Sequence, residues 1–309
     1  VIARAPGKVV LSGAYAVLEG APSVVTAVDR YVVADSSRPA GFLTPEVKAA
    51  LGNRPAPWFD ATALRAGDKK LGVGSSAAIL VASLGAVYAE ERGIRDEHAL
   101  RTAVLEPALA AHRAAQGGGS GVDVAASTWG GTLVARRSEG GLALRPVVMP
   151  PGLHVEVLFA GVPASTSELV GRVRALATRD PGGYAAVIAR LSRAAEDAER
   201  AFDGGSAAGV LAALAGQLEG LAELGRLASA PIVTPEVERM ARAAAREGAV
   251  VLPAGAGGGD IAVFAALHEP SEALAREFDA ERHVRLDLRL SARGLHLADE
   301  RAAGGERDR

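Results

Sequence analysis

The sequence predicts a mixed α/β protein of two domains, and three observations predict it. Segments rich in β-branched residues alternate with apolar helical patterns along 309 residues, a length suited to one large or two ordinary domains. Pro150-Pro151-Gly152 is the strongest linker signal, placing a boundary between residues 1–150 and 151–309. Glycine-rich runs near residues 72, 117 and 255 interrupt these patterns just where an element ends or begins.

In order, residues 1–11 read as a strand carrying Val9-Val10-Leu11, followed by a turn at Ser12-Gly13 and another at residues 19–22. Residues 23–34 form a β-branched strand, and the Pro- and Gly-punctuated stretch 35–57 holds one short helix at about 45–51. Helices are predicted at about 76–91 and 96–115, the second despite Pro107, and residues 132–136 and 142–148 pair as a hairpin. Past the linker come a strand at 153–159, then helices at about 167–177, 183–202, 207–228 and 235–247. Strands at 249–252 and 261–267 flank a glycine cluster, and 272–281 is helical. Val284, Leu286, Leu288 and Leu290 alternate with polar residues, the period of a half-buried strand. This half reads as a two-layer α/β sandwich; the polar tail from about 302 is expected to be disordered.

Composition narrows the function classes. A formal charge of -2 offers no basic field for nucleic acid or an anionic membrane. Zero cysteines exclude disulfides and thiolate metal sites, and the six histidines show no zinc-like spacing. The longest apolar run, residues 77–89, is too short to span a bilayer, and no leader pattern is visible, so a soluble, cytoplasmic protein is expected. Only Lys8, Lys48, Lys69 and Lys70 are lysines, which makes each worth inspecting.

The most informative stretch is Gly72-Val73-Gly74-Ser75-Ser76-Ala77-Ala78, which opens onto an apolar helical run. The first N–H groups of a helix have no intrahelical partner, and the macrodipole adds partial positive charge, so this is an anion site. Glycines remove the Cβ atoms that would hold a polyphosphate away. Gly72-x-Gly74-x-x-Ala77 also fits a loose dinucleotide pattern, but charged residues stand where that pattern needs a buried strand. No Gly-x-x-x-x-Gly-Lys-Ser/Thr occurs. The plain alternative is a glycine-rich turn before a core helix.

Three further patches stand out. Lys8, beside the Pro6-Gly7 turn, is either a solvated charge or a phosphate-facing one. Asp123, after Gly119-Ser120-Gly121, either caps a helix or places a carboxylate at a reacting centre. Pro253-Ala254-Gly255-Ala256-Gly257-Gly258-Gly259-Asp260 permits close backbone approach to a ligand. Ser165-Thr166-Ser167-Glu168 reads equally as a capping box and as a substrate contact.

Residues 8–18, 72–78 and 254–260 together resemble the three motifs of the GHMP kinases, small-molecule kinases named for galactose, homoserine, mevalonate and phosphomevalonate. The likeness runs over nearly the whole chain. Asp68-Lys69-Lys70-Leu71, His112-Arg113-Ala114-Ala115-Gln116-Gly117, Ser120-Gly121-Val122-Asp123 and Gly161-Val162-Pro163-Ala164-Ser165-Thr166-Ser167-Glu168 look most like the phosphomevalonate kinase branch. The resemblance implies a ribosomal-protein-S5-domain-2-like first domain, a ferredoxin-like α/β sandwich and an acceptor cleft between them. It implies ATP held by Gly72, Val73, Gly74, Ser75, Ser76 and Ala77 and by Gly255, Gly257 and Gly258, with Mg²⁺ on Ser76. Lys8 and Asp123 would stand at the transferred phosphoryl group. Acceptor contacts are expected from Tyr15, Ser120, Ser165, Thr166 and Arg137.

The implied reaction is phosphoryl transfer from ATP to 5-phosphomevalonate, in a monomer or homodimer. A phosphate monoester is already largely ionised at neutral pH, so such a kinase needs charge neutralisation more than a base. Lys8 is therefore expected to stabilise the transition state, with Asp123 positioning Lys8 and the acceptor. Two departures stand out: Ala14 replaces a common family glutamate, and His112 falls where mevalonate-type kinases carry a metal-binding glutamate. Mevalonate kinase or another small-molecule kinase, the decarboxylase of diphosphomevalonate, and a non-catalytic ligand-binding homologue stay open as alternatives.

Overall fold

The computed structural model describes residues 1–138, 141–161 and 165–298. The tail from about 302 and Val162, Pro163 and Ala164 of the resemblance stretch lie outside the described residues.

The first sheet is antiparallel and begins with β1 (Ile2–Ser12) and β2 (Ser23–Pro39), joined through a 3-10 turn at Ala16–Glu19. Next come α1 (Pro45–Leu51), β3 (Pro57–Asp60) on β2, and a small hairpin of β4 (Arg65–Ala66) and β5 (Lys69–Lys70). α2 (Ser75–Glu91), α3 (Glu97–Gln116) and α4 (Val122–Trp129) follow, then the hairpin β6 (Thr132–Ser138) and β7 (Gly141–Val147). α2 is apolar all round, and its residues 77–89 are all buried, which is how a helix without a polar face must sit. α3 runs through Pro107 because Val104, Ala108, Leu109 and Ala111 bury along it and outweigh the lost hydrogen bond.

The chain leaves this sheet at Val147 and enters a second antiparallel sheet at β8 (His154–Phe159). Four helices follow: α5 (Thr166–Arg179), α6 (Pro181–Asp203), α7 (Ala207–Ala228) and α8 (Pro235–Ala245). β9 (Val250–Pro253), β10 (Ile261–Ala266), α9 (Glu272–Ala280) and β11 (Val284–Leu286) complete it, in the order β11-β8-β10-β9. α7 is long and apolar enough to cross a membrane, the feature that the longest-run reading missed. Its Val210, Leu214, Leu221 and Leu224 are buried in two adjoining core clusters.

The alternation over 284–290 predicts one half-buried strand; only Val284–Leu286 pairs with β8, and Val284 is 59% exposed. The register is broken because the chain crosses back: Leu290 bridges Val28, and β12 (His296–Leu297) pairs with β1. The final described residues therefore belong to the first sheet.

Candidate active site

A bulge builds the site. The β1–β2 register shifts between Pro6 and Gly7, and there the Lys8 N–H donates to the Val73 carbonyl at 2.8 Å. A Cβ on Gly7 would lie 2.7 Å from that same oxygen. The bulge thus seats the glycine loop against β1 and aims Lys8 along it. Gly72 and Gly74 both have positive φ, 74° and 79°. A Cβ at Gly74 would meet Lys8 Cε at 2.8 Å, and one at Gly72 would meet the Asp260 carboxylate at 2.4 Å. Two glycines of the loop are required by functional side chains lying across them.

The other end is held from the second sheet's side. Gln217 of α7 accepts from Ser12 Oγ at 2.8 Å and from the Gly13 N–H at 3.0 Å, and Tyr15 donates to the Ala256 carbonyl at 2.7 Å. Tyr15 sits at a φ of 62°, a costly conformation for a side chain, and burial pushes its hydroxyl well above the ordinary phenol range. It stays a neutral donor.

Between these ties lies a cleft of about 640 Å³. Its walls include Lys8, Ala14, Tyr15, Lys70, Gly72, Gly74, Ser75, Ser76, His112, Ser120, Asp123, Thr166, Arg174, Gly255 and Asp260. A second hollow of about 250 Å³ shares Tyr15, Gly118, Gly119 and Arg174 with it and adds Arg113, Arg137, Glu19 and Tyr184. Glu19 accepts from the Tyr184 hydroxyl at 2.8 Å, and its single negative charge is outnumbered by Arg113, Arg137 and Arg174. Arg137 reaches the Leu18 carbonyl at 3.3 Å.

Several expected site residues have other work. Val73 and Ala77 are buried, so of that loop only its backbone, Ser75 and Ser76 face the cleft. Of the third motif, Gly255 lines the cleft, whereas Gly257 and Gly258 do not. A Cβ at Gly257 would strike the Ile232 carbonyl oxygen at 2.2 Å, and Gly258 N–H donates to that oxygen at 3.2 Å. The close approach read as room for a ligand is made by the chain's own backbone. Ser165 caps α5, accepting from the Glu168 N–H at 3.3 Å, while Thr166 faces the cleft. The box is not reciprocal, because Glu168 pairs with Arg172 at 2.7 Å.

Asp123 is not the cap of α4; Gly121 holds that position and Asp123 lies in the first turn. Its carboxylate stands 3.4 Å from His112 Nε2, although the geometry does not make a hydrogen bond. Lys8 acts electrostatically on a second carboxylate of the cleft, Asp260. Burial raises its pKa to about 6 against the opposing pull of Lys8. Sequence reading placed Asp260 at the end of a motif without giving it a task; an acidic residue after three glycines was the available signal.

No family model matches the sequence. The chain is 25% identical to the phosphomevalonate kinase of Streptomyces sp. strain CL190 over 337 residues, covering 85% of this chain and 89% of that protein. It is 29% identical to the mevalonate kinase of Archaeoglobus fulgidus over 281 residues, covering 84% and 89%. The fold matches that of Streptococcus pneumoniae phosphomevalonate kinase in complex with phosphomevalonate and AMPPNP, with a TM-score of 0.73 at 18% identity over 94% of this chain and 99% of that one. The chain has the two-domain α/β fold of the GHMP kinases and is a homologue of phosphomevalonate kinase.

Proposed function

We propose that this protein is an ATP- and Mg²⁺-dependent kinase that transfers the γ-phosphoryl group to 5-phosphomevalonate. The observation that carries the reading is a cleft lined by the glycine loop, a helix N-terminus and Lys8, beside an arginine-rich hollow that shares part of its wall. A triphosphate needs the first, a transferred phosphoryl group the second, and an acceptor that is itself an anion the third. The homologies to mevalonate-pathway kinases support the same class of donor and acceptor.

Chemically, Lys8 carries the reaction by neutralising charge that spreads over the equatorial oxygens in the transition state. The backbone N–H groups at the start of α2 hold the donor phosphates, with Gly72 and Gly74 allowing close approach. Ser75, Ser76, Asp123 and Asp260 all line the cleft and offer hard oxygen donors, the kind Mg²⁺ takes. When bound there, the ion supplies charge neutralisation on the triphosphate. Arg113, Arg137 and Arg174 grip the far anionic end of the acceptor, and Asp123 with His112 orients the nearer end.

The mevalonate reading rests on one observation: Asp123 lies in the cleft, within reach of an alcohol that needs a base. ADP release with ATP and Mg²⁺, offering mevalonate, 5-phosphomevalonate and 5-diphosphomevalonate separately, decides between them. Turnover with 5-phosphomevalonate alone supports the proposal. Turnover with mevalonate alone restores Asp123 as a base, and carbon dioxide from 5-diphosphomevalonate makes the protein a lyase.

A further inference from the structure

The chain between β1 and β2 is built into the other half of the molecule. Ala14, Tyr15, Ala16 and Ala21 are buried in one apolar cluster with residues such as Ile188 and Leu191 of α6. This segment, which includes the 3-10 turn at Ala16–Glu19, brings Ala14, Tyr15, Val17 and Leu18 to the cleft and Glu19 to the arginine hollow. Where it sits therefore shapes the acceptor's surroundings.

Both ends of the segment are tied to second-half helices. Gln217 of α7 holds its start, accepting from Ser12 and Gly13. Its end is held through a charged relay. Arg136 of β6 donates through Nη1 to the Gly20 carbonyl at 3.2 Å and through Nη2 to Glu199 of α6 at 3.0 Å. Gly20 has nothing within 4 Å of where a Cβ would stand, so side-chain packing does not hold it there. A guanidinium is a rigid, planar fork, so one that rests on a carboxylate aims its other N–H groups in a fixed direction. Without that rest, the same long arm is free to swing into water.

We propose that Glu199 is a positioning residue for the acceptor, acting through Arg136 on the Gly20 end of this segment. The proposal deepens the kinase reading and rests on it. The ordinary alternative is a partly exposed ion pair, which contributes little to stability or function. Glu199 also accepts from Arg145 of β7 at 3.1 Å, and Arg145 bonds in turn to Asp203. That neighbouring pair supplies a control, since it lies in the same cluster but makes no hydrogen bond to the segment among the described residues.

The experiment is steady-state kinetics of the full chain with ATP, Mg²⁺ and whichever of the three acceptors wild type turns over, beside thermal unfolding of each variant. In Glu199→Ala the KM for the acceptor should rise about three- to tenfold, the range of one net hydrogen bond, while the KM for ATP holds. The sign of the change is decisive. Through charge alone, removing a carboxylate would favour an anionic acceptor and lower that KM. Arg136→Lys keeps the charge but loses the fork, and should raise the acceptor KM similarly. Combining the two substitutions should add nothing further. Glu199→Gln, which keeps an accepting oxygen, guards against a variant that does not fold and should fall between wild type and Glu199→Ala. Asp203→Asn should leave both KM values as they are. An unchanged or lowered acceptor KM in Glu199→Ala, an equal rise in both KM values, or the same rise in Asp203→Asn overturns the proposal. Absence of turnover by wild type with every acceptor would instead sink the kinase reading on which it stands.

Discussion

The two glycine-rich loops on the cleft look alike in sequence and are alike for different reasons. In the first, a Cβ at Gly72 or Gly74 would run into Asp260 or Lys8, side chains that face the cleft. In the third motif, a Cβ at Gly257 would run into the Ile232 carbonyl, part of the framework. One loop is glycine-rich so that working groups can lie on it, the other so that it can fold against its own domain. Glycine density reports close approach; it does not say what approaches.

The largest expected effect concerns the group lying on the first loop. Lys8→Ala should lower kcat by two to three orders of magnitude, the scale on which removal of one transition-state donor is felt, with KM for ATP little changed. Asp123→Asn should cost less, because an ionised acceptor phosphate needs no base and Asp123 stands beside His112. Steady-state kinetics of the two variants decide it; the reverse order would return Asp123 to the centre of the chemistry.

The loops can be compared directly by adding one methyl group to each. Gly74→Ala, at φ 79° and against Lys8 Cε, should lose roughly 10- to 100-fold in kcat by displacing the lysine. Gly257→Ala, at φ 82° with Ile232 oxygen 2.2 Å away, should lower stability by at least about 1–3 kcal/mol, the cost of the backbone conformation alone. Activity per folded molecule should persist. Denaturant titration beside kcat separates the outcomes, and equal losses of both kinds in both variants would break the comparison.

A smaller effect follows from Asp260. Its pKa is raised from 3.8 to about 6, so the folded state binds the proton more tightly than the unfolded one. The stabilisation is fully present below about pH 3.8 and is lost as pH rises through about 6, with solvent screening keeping it small. The same ionisation sets a negative charge beside Gly72, so affinity for metal-free nucleotide should fall as pH rises through that range. The nucleotide titrates too, so the measure is the difference between wild type and Asp260→Asn, whose profile should be the flatter. Identical profiles would show that Asp260 does not face the phosphates.

The smallest effect should be that of Ser165→Ala. Removing the cap of α5 costs about 0.5–2 kcal/mol of stability. Since Ser165 does not line the cleft, acceptor KM should stay unchanged, whereas a raised KM would restore its substrate contact.

Most of the long elements and the helix following the glycine loop were legible in the sequence, because periodicity is a local signal; the turn read at Pro6-Gly7 is instead a bulge within β1, and α4 and the short strands β3, β4, β5 and β12 were not foreseen. α1 and α7 fall on their predicted ranges for that reason. Pairings between distant residues were not legible. Nothing local links Glu46 to Gln116, Lys8 to Asp260, or Gln217 to Ser12, and the break after Leu286 depends on the chain crossing to a sheet formed more than about 250 residues earlier. By itself, then, the sequence determined the longer elements and the residue types that can hold phosphate, because backbone propensity and helix-end electrostatics act within a few residues. The tertiary structure alone decided which carboxylate faces which lysine or hydroxyl, and which glycines serve the cleft. Charge and close contact act through space, and the distances that govern them exist only once the two sheets have been brought together.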